Sequence, residues 1–151
     1  MEIVIDSSVL VGLLAPRDRW HEKSTALWQA MQKHGHVGLY FDCVISESVS
    51  VAVRRLYEKK RAGEVENLLN RLETTFTADS ITWIYPDVPR LYPEIIALME
   101  KSGGELNFHD ALIALSCQER GISSIASFDA DFDQLSWLHR LVNPEDVADL
   151  Q

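Results

Sequence analysis

Cysteine is scarce in this 151-residue chain, and its two copies, Cys43 and Cys117, form no metal-ligand spacing. A disulfide framework and a Cys/His zinc site are thereby excluded. Each cysteine is expected to pack as a small buried hydrophobe. Long apolar runs are missing too. The nearest to one, residues 9–14, follows Glu2 and Asp6 rather than a basic segment and ends at Pro16-Arg17-Asp18. That suits neither a signal peptide nor a membrane span, so a cytoplasmic protein with no membrane partner is expected. No Pro-, Gly- or Ser-rich linker, internal repeat or low-complexity run divides the sequence, and residues 1–151 read as a single domain. Basic residues are in deficit as well. With 14 Lys and Arg against 23 Asp and Glu, the formal net charge is −9, which argues against nonspecific coating of nucleic acid.

What is present is the composition of an ordinary soluble globular protein, 46% apolar and 25% charged. The few basic residues are clustered. Arg54, Arg55, Lys59, Lys60 and Arg61 fall within eight positions, and such a strip can guide a phosphate backbone even on an acidic protein.

Periodicity orders the chain. Ile3-Val4-Ile5 reads as a short buried strand ending at Asp6, with Ser7 and Ser8 available to cap a short helix through Leu14. Residues 20–33 carry Leu27, Trp28 and Met31 at helical spacing, and residues 37–41 form a second strand. A long helix is expected over residues 45–61, with the stripe Val49, Ala52, Val53 and Leu56, and another over residues 64–76. Residues 81–85 are β-rich, and residues 89–101 are helical with Gly103-Gly104 as the stop. Asn107 is placed to cap a helix to Arg120, apolar enough to be buried on most sides. Strands over residues 122–126 and 141–142 follow, and Pro144 opens a short acidic tail. The alternation predicts an α/β fold, with helices covering a mainly parallel sheet.

Four acids stand at informative positions. Asp6 and Asp129 follow strand ends, the edge at which parallel sheets build binding sites. Glu47 and Asp110 fall in the first turns of predicted helices. Singly, each has a plainer explanation: a first-turn carboxylate complements the helix dipole, and an Asp after a strand commonly caps a turn. At about 100° per residue, Glu47 projects away from the apolar stripe, on the side of Arg54, Glu58 and Arg61. It faces either solvent or a cleft along which Arg54 and Arg61 could receive phosphates, and helix geometry alone does not decide.

The run Ile3-Val4-Ile5-Asp6-Ser7-Ser8-Val9-Leu10 resembles the opening motif of the PIN-domain family. Ser46-Glu47-Ser48-Val49 resembles its second motif, Phe108-His109-Asp110-Ala111-Leu112-Ile113-Ala114 its third, and Ser127-Phe128-Asp129-Ala130-Asp131-Phe132 its fourth. Order and separations fit from residue 3 to about residue 142, and the chain looks like the compact VapC-type toxins of toxin–antitoxin pairs. The resemblance implies a three-layer α/β/α fold and an endoribonuclease dependent on Mg²⁺ or Mn²⁺, with Asp6, Glu47, Asp110 and Asp129 as metal ligands and catalytic groups. Asp131 is a candidate further ligand through water, while Asp133 reads as surface charge. Ser127 stands where the family usually has Thr and keeps the hydroxyl, and Ser8 matches a small polar position lining the site.

The chemistry suits these residues: Mg²⁺ prefers oxygen ligands and retains waters, and it can activate water at phosphorus without a histidine base. His109 is accordingly expected to face away or to pack structurally. The resemblance also implies RNA as substrate, a homodimer and a small antitoxin partner. Trp20, Leu27, Trp28 and Met31 could supply a dimer contact or simply pack on the sheet. An antitoxin is expected to insert a basic side chain near Asp6 and Asp110, in competition with metal. Two other classes of function compete with this reading. A receiver-type phospho-acceptor domain would need paired acids after its first strand and a Lys after a late one, and the chain has neither. A catalytically silent PIN-fold scaffold would have to hold four clustered acids without a cation, at a cost in stability.

Overall fold

Ile3, Val4 and Ile5 are consecutive, so all three can be buried only in a strand covered on both faces. In the computed structural model, which describes residues 1–150, all three are fully buried in β1 (Glu2–Ile5). Ser124, Ile125 and Ala126 of β4 (Ser124–Ala126) are buried likewise. These two strands are central. With β2 (Val37–Phe41), β3 (Ile81–Thr82) and β5 (His139–Leu141) they make one five-stranded sheet in the order β3-β2-β1-β4-β5, parallel throughout.

Helices α1 (Ser7–Leu14), α2 (His21–Lys33), α3 (Asp42–Glu58), α4 (Val65–Thr75), α5 (Val88–Lys101), α6 (Phe108–Arg120) and α7 (Pro144–Ala148) cover the sheet in a three-layer α/β/α arrangement. Their contacts fall into two groups: α1 with α2 and α3, α2 with α7, and α3 with α4; then α5 with α6. α6 is buried from Asp110 to Ala114 and again at Ser116 and Cys117, and it closes on Gly121, whose φ of 68° is the left-handed cap glycine adopts without strain. Cys43 and Cys117 are both buried and unpaired.

Several boundaries differ from the sequence reading. α3 begins at Asp42, directly after β2, and ends at Glu58, three residues short of Arg61. Glu47 therefore lies in its second turn. The β-rich run after Ile81 pairs over only two residues, because the backbone N–H groups of Ile84 and Tyr85 are taken by the buried carboxylate of Asp42. The acidic tail is helical as α7, where Asp146 accepts from the backbone N–H groups of Val142 and Asn143. The stripe on α2 resolves in favour of packing. Leu27 and Met31 are 0% and 1% exposed, and the Trp28 ring lies so close over Gly38 that a Cβ there would sit 2.6 Å from it. Trp20 leaves that stripe altogether and occupies the N-cap position of α2.

In a parallel sheet all carboxyl ends share one edge. The order places β1 between β2 and β4, so the chain leaves β1 to one side and β4 to the other, and a crevice opens at that switch point. α1 and α3 start from the ends of β1 and β2. α6 feeds β4 from the opposite edge, so its first turn returns to the same crevice.

Candidate active site

Asp6 is both a cap and a site residue. It is the N-cap of α1, 4% exposed, and its Oδ2 accepts from Ser8 Oγ at 2.6 Å, Ser127 Oγ at 2.7 Å and, at 3.4 Å, the Ser8 backbone N–H. The two hydroxyls are themselves fixed. Ser8 Oγ accepts from the Phe128 N–H at 3.0 Å, and Ser127 Oγ accepts from the Asp129 N–H at 3.0 Å. The chain segments after β1 and β4 are thus stitched together around one carboxylate oxygen, and Oδ1 is left without a hydrogen bond.

The same division recurs at two other acids. Asp110 closes the capping box of α6: its Oδ2 accepts from the Asn107 N–H at 2.9 Å while its own N–H donates to Asn107 Oδ1 at 3.0 Å. Asp129 caps the 3-10 turn Ala130–Gln134, with Oδ1 accepting from the Asp131 N–H at 2.9 Å. In each case one oxygen satisfies an orphan amide of a turn or helix start and the other is free. None of these second oxygens is among the buried, unpartnered atoms of the described residues, so each reaches solvent. The capping explanation and the functional one are therefore compatible, because the cap is what aims the free oxygen.

Electrostatics bring the four together. Burial pushes the Asp110 carboxyl up to about 7; the Asn107 amide opposes this, and the charges of Asp6, Asp129 and Glu47 each add to it. The charge of half-buried Glu47 on α3 thus acts on Asp110. None of the four acids forms an ion pair among the described residues. Arg140, which feels the charge of Asp129, is spent on Asp133, with contacts of 2.7 and 2.6 Å.

Asp131 sits at the rim, its carboxyl raised by partial burial and then by Asp129 and Glu105. Glu105 is an acid that sequence reasoning did not single out, as is Asp42, which is 5% exposed and accepts from the N–H groups of Cys43, Ile84 and Tyr85. Asp42 fixes the base of α3 and the Tyr85 backbone. Tyr85 Oη in turn meets His109 Nε2 at 3.3 Å, so His109 packs structurally.

The basic strip is divided. Arg54 is 68% exposed, with only a 3.8 Å contact to Glu58, and shares the Glu47 side of α3. Arg61 lies beyond the helix, held by Glu64. It lines a groove of about 600 Å³ with Leu14, Arg17, Arg55 and Leu68, a groove containing none of the four acids.

As a cation site the donor set is all oxygen, which fits Mg²⁺ or Mn²⁺ and not zinc. Among the described residues, no three acidic, His or Cys side chains stand close enough together to hold a metal ion as a group. A hydrated Mg²⁺ keeps most of its waters and needs only one or two protein carboxylates.

The PIN domain family model matches residues 3–138. Among solved structures the chain is similar to VapC20 of Mycobacterium tuberculosis, described as a toxin that cleaves the sarcin-ricin loop. The two are 19% identical with a TM-score of 0.67, and the match covers 90% of this chain and 96% of that one. At this identity the likeness shows the fold alone. No curated protein matches the sequence.

Proposed function

The chain belongs to the PIN domain family, and we propose that it is an endoribonuclease that hydrolyses RNA phosphodiester bonds with Mg²⁺ or Mn²⁺ held by Asp6, Glu47, Asp110 and Asp129. The observation that carries this is the paired use of the acids. Asp6, Asp110 and Asp129 each spend one oxygen on the fold and leave the other without a hydrogen bond, and the charges of Asp6 and Asp129 both act on Asp110. An arrangement that raises the Asp110 carboxyl so far costs stability unless a cation is expected there. When bound, such a cation supplies Lewis acidity at phosphorus and charge neutralisation at the leaving oxygen.

The chain's own residues do the positioning. Ser8 and Ser127 hold Asp6 in one rotamer, and Ser127 also fixes the backbone that presents Asp129. Hydrogen bonds of this kind behind a metal ligand set both its orientation and its basicity. Asp131, two residues on, would act through water. Arg54 is the exposed cation best placed to receive backbone phosphates beyond Glu47, and Arg61 would have to leave Glu64 to join it.

The family likeness further supports a toxin acting in the cytoplasm under an antitoxin, which would insert a basic side chain near Asp6 and Asp110 in competition with metal. No helix among the described residues is long and apolar enough to cross a membrane. A homodimer of the kind expected for such toxins would use a surface other than the buried Leu27 and Met31. Incubation of the purified protein with single-stranded RNA tests the proposal. Cleavage is expected in Mg²⁺ or Mn²⁺ and not in EDTA; undiminished cleavage in EDTA would overturn it.

A further inference from the structure

Beside the acid crevice lies a feature that metal chemistry does not use. Trp20 and Phe128 stack with ring centroids 5.0 Å apart and planes at 29°. Lys23 Nζ lies 5.0 Å from the Phe128 centroid and 5.7 Å from that of Trp20, and Arg19 Cζ lies 5.0 Å from the Trp20 ring. Both rings are half-buried, and Trp20 is not among the apolar side chains packed against the core. Its stacking partner is Phe128 alone, with cations above.

The platform is anchored to the site itself. Phe128 stands between Ser127 and Asp129, and its N–H donates to the same Ser8 hydroxyl that holds Asp6. On the other side, the Trp20 N–H donates to Asp18, which pairs with Arg55 of α3, and His21 Nδ1 contacts the Gly12 carbonyl of α1 at 2.8 Å. Two segments therefore present a π surface one residue from Asp129 and, through the Ser8 hydroxyl, linked to Asp6. The surrounding run carries Arg17, Arg19 and Lys23 against Asp18 and Glu22, and Asp18 is itself paired with Arg55.

Resting on the ribonuclease reading above, we propose that Trp20 and Phe128 form a stacking platform for a nucleobase next to the scissile phosphate, with Arg19 and Lys23 taking the flanking phosphates. Unpaired bases of single-stranded RNA are recognised by aromatic stacking combined with cations that track the backbone. Lys23 and the exposed Arg19 are long, flexible side chains that can leave the ring faces for phosphates as a base arrives. The platform makes the enzyme selective for unpaired RNA, since a paired base has no free face to offer.

The test compares two uncleavable probes of equal charge, a 2′-O-methyl adenosine 12-mer and an abasic 12-mer, by fluorescence anisotropy in Mg²⁺. Wild type should prefer the adenosine strand by about tenfold, the usual worth of one stacked base. Trp20→Leu, which keeps apolar volume, should lose that preference with unchanged affinity for the abasic strand, and Trp20→Phe should retain most of it. Thermal melting verifies that each variant is folded. Lys23→Ala should weaken both probes equally. A wild type without preference, or a folded Trp20→Leu that keeps it, overturns the platform. Cleavage of ordinary RNA by the same preparation separates the two readings, since active enzyme with no base preference sinks the platform alone. Loss of both cleavage and binding sinks the nuclease assignment with it.

Discussion

Replacing Asp110 by Asn should stabilise the metal-free protein while abolishing its activity. The carboxyl is pushed from 3.8 to about 7, by burial first and then by Asp6, Asp129 and Glu47. The folded state thus binds this proton more tightly than the unfolded chain does. The associated stability is fully present below pH 3.8 and is lost as pH rises to about 7. At ~1.4 kcal/mol per pH unit the full loss is about 4 kcal/mol, of which solvent on the open side of the crevice leaves roughly half. Asparagine is never charged and keeps an oxygen for the Asn107 N–H, so the capping box survives. At pH 8 in EDTA, Asp110→Asn should therefore melt about 5 °C above wild type. That gap should narrow by more than half at pH 5. Saturating Mg²⁺ should raise the wild type and leave the variant unmoved, closing the gap at pH 8. A variant no more stable than wild type at pH 8 in EDTA would refute the burial and charge crowding of Asp110.

Asp6→Asn and Asp129→Asn should each lower RNA cleavage by about a hundredfold or more, with unchanged circular dichroism, because metal stabilisation of the transition state is worth several kcal/mol. Ser127→Ala should weaken Mn²⁺ binding by about tenfold in a calorimetric titration, and Ser127→Thr should restore it, since the hydroxyl is what holds Asp6 and the Asp129 N–H. Asp42→Ala should cost about 3 kcal/mol or more in urea unfolding, because three backbone N–H groups lose a buried charged acceptor.

The position of Asp6 was legible because a doubly buried strand leaves an apolar run, Ile3-Val4-Ile5, which the acid follows directly; Asp129 stands after a less apolar strand, Ser124–Ala126, with Ser127 and Phe128 between. Asn107 was legible as a cap for the same reason: a polar residue directly precedes an apolar helix. The start of α3 was hidden, since β2 passes into it at Phe41-Asp42 with no turn residue between. That shifted Glu47 by a turn without changing the side it projects from. The end of α3 was hidden by good helix formers, Lys59 and Lys60, whereas the backbone breaks at Lys60 with a φ of 56°. Arg61 therefore joins a different groove from Arg54. Asp42 could not have been found by pattern, because its partners Ile84 and Tyr85 lie more than forty residues away. The α7 helix could have been found, since Asn143-Pro144 followed by Asp146 is a helix-start signal. Trp20 was grouped with Leu27 and Met31 by spacing alone, and only the fold shows it turned toward Phe128.

The most direct test of the central claim is the anomalous diffraction of crystals soaked in Mn²⁺. The account predicts a manganese peak in the crevice at the carboxyl ends of β1 and β4, with Asp6 Oδ1 and at least one of Glu47, Asp110 or Asp129 among its direct or water-bridged ligands. Manganese bound only elsewhere, with the four carboxylates unchanged, would contradict it.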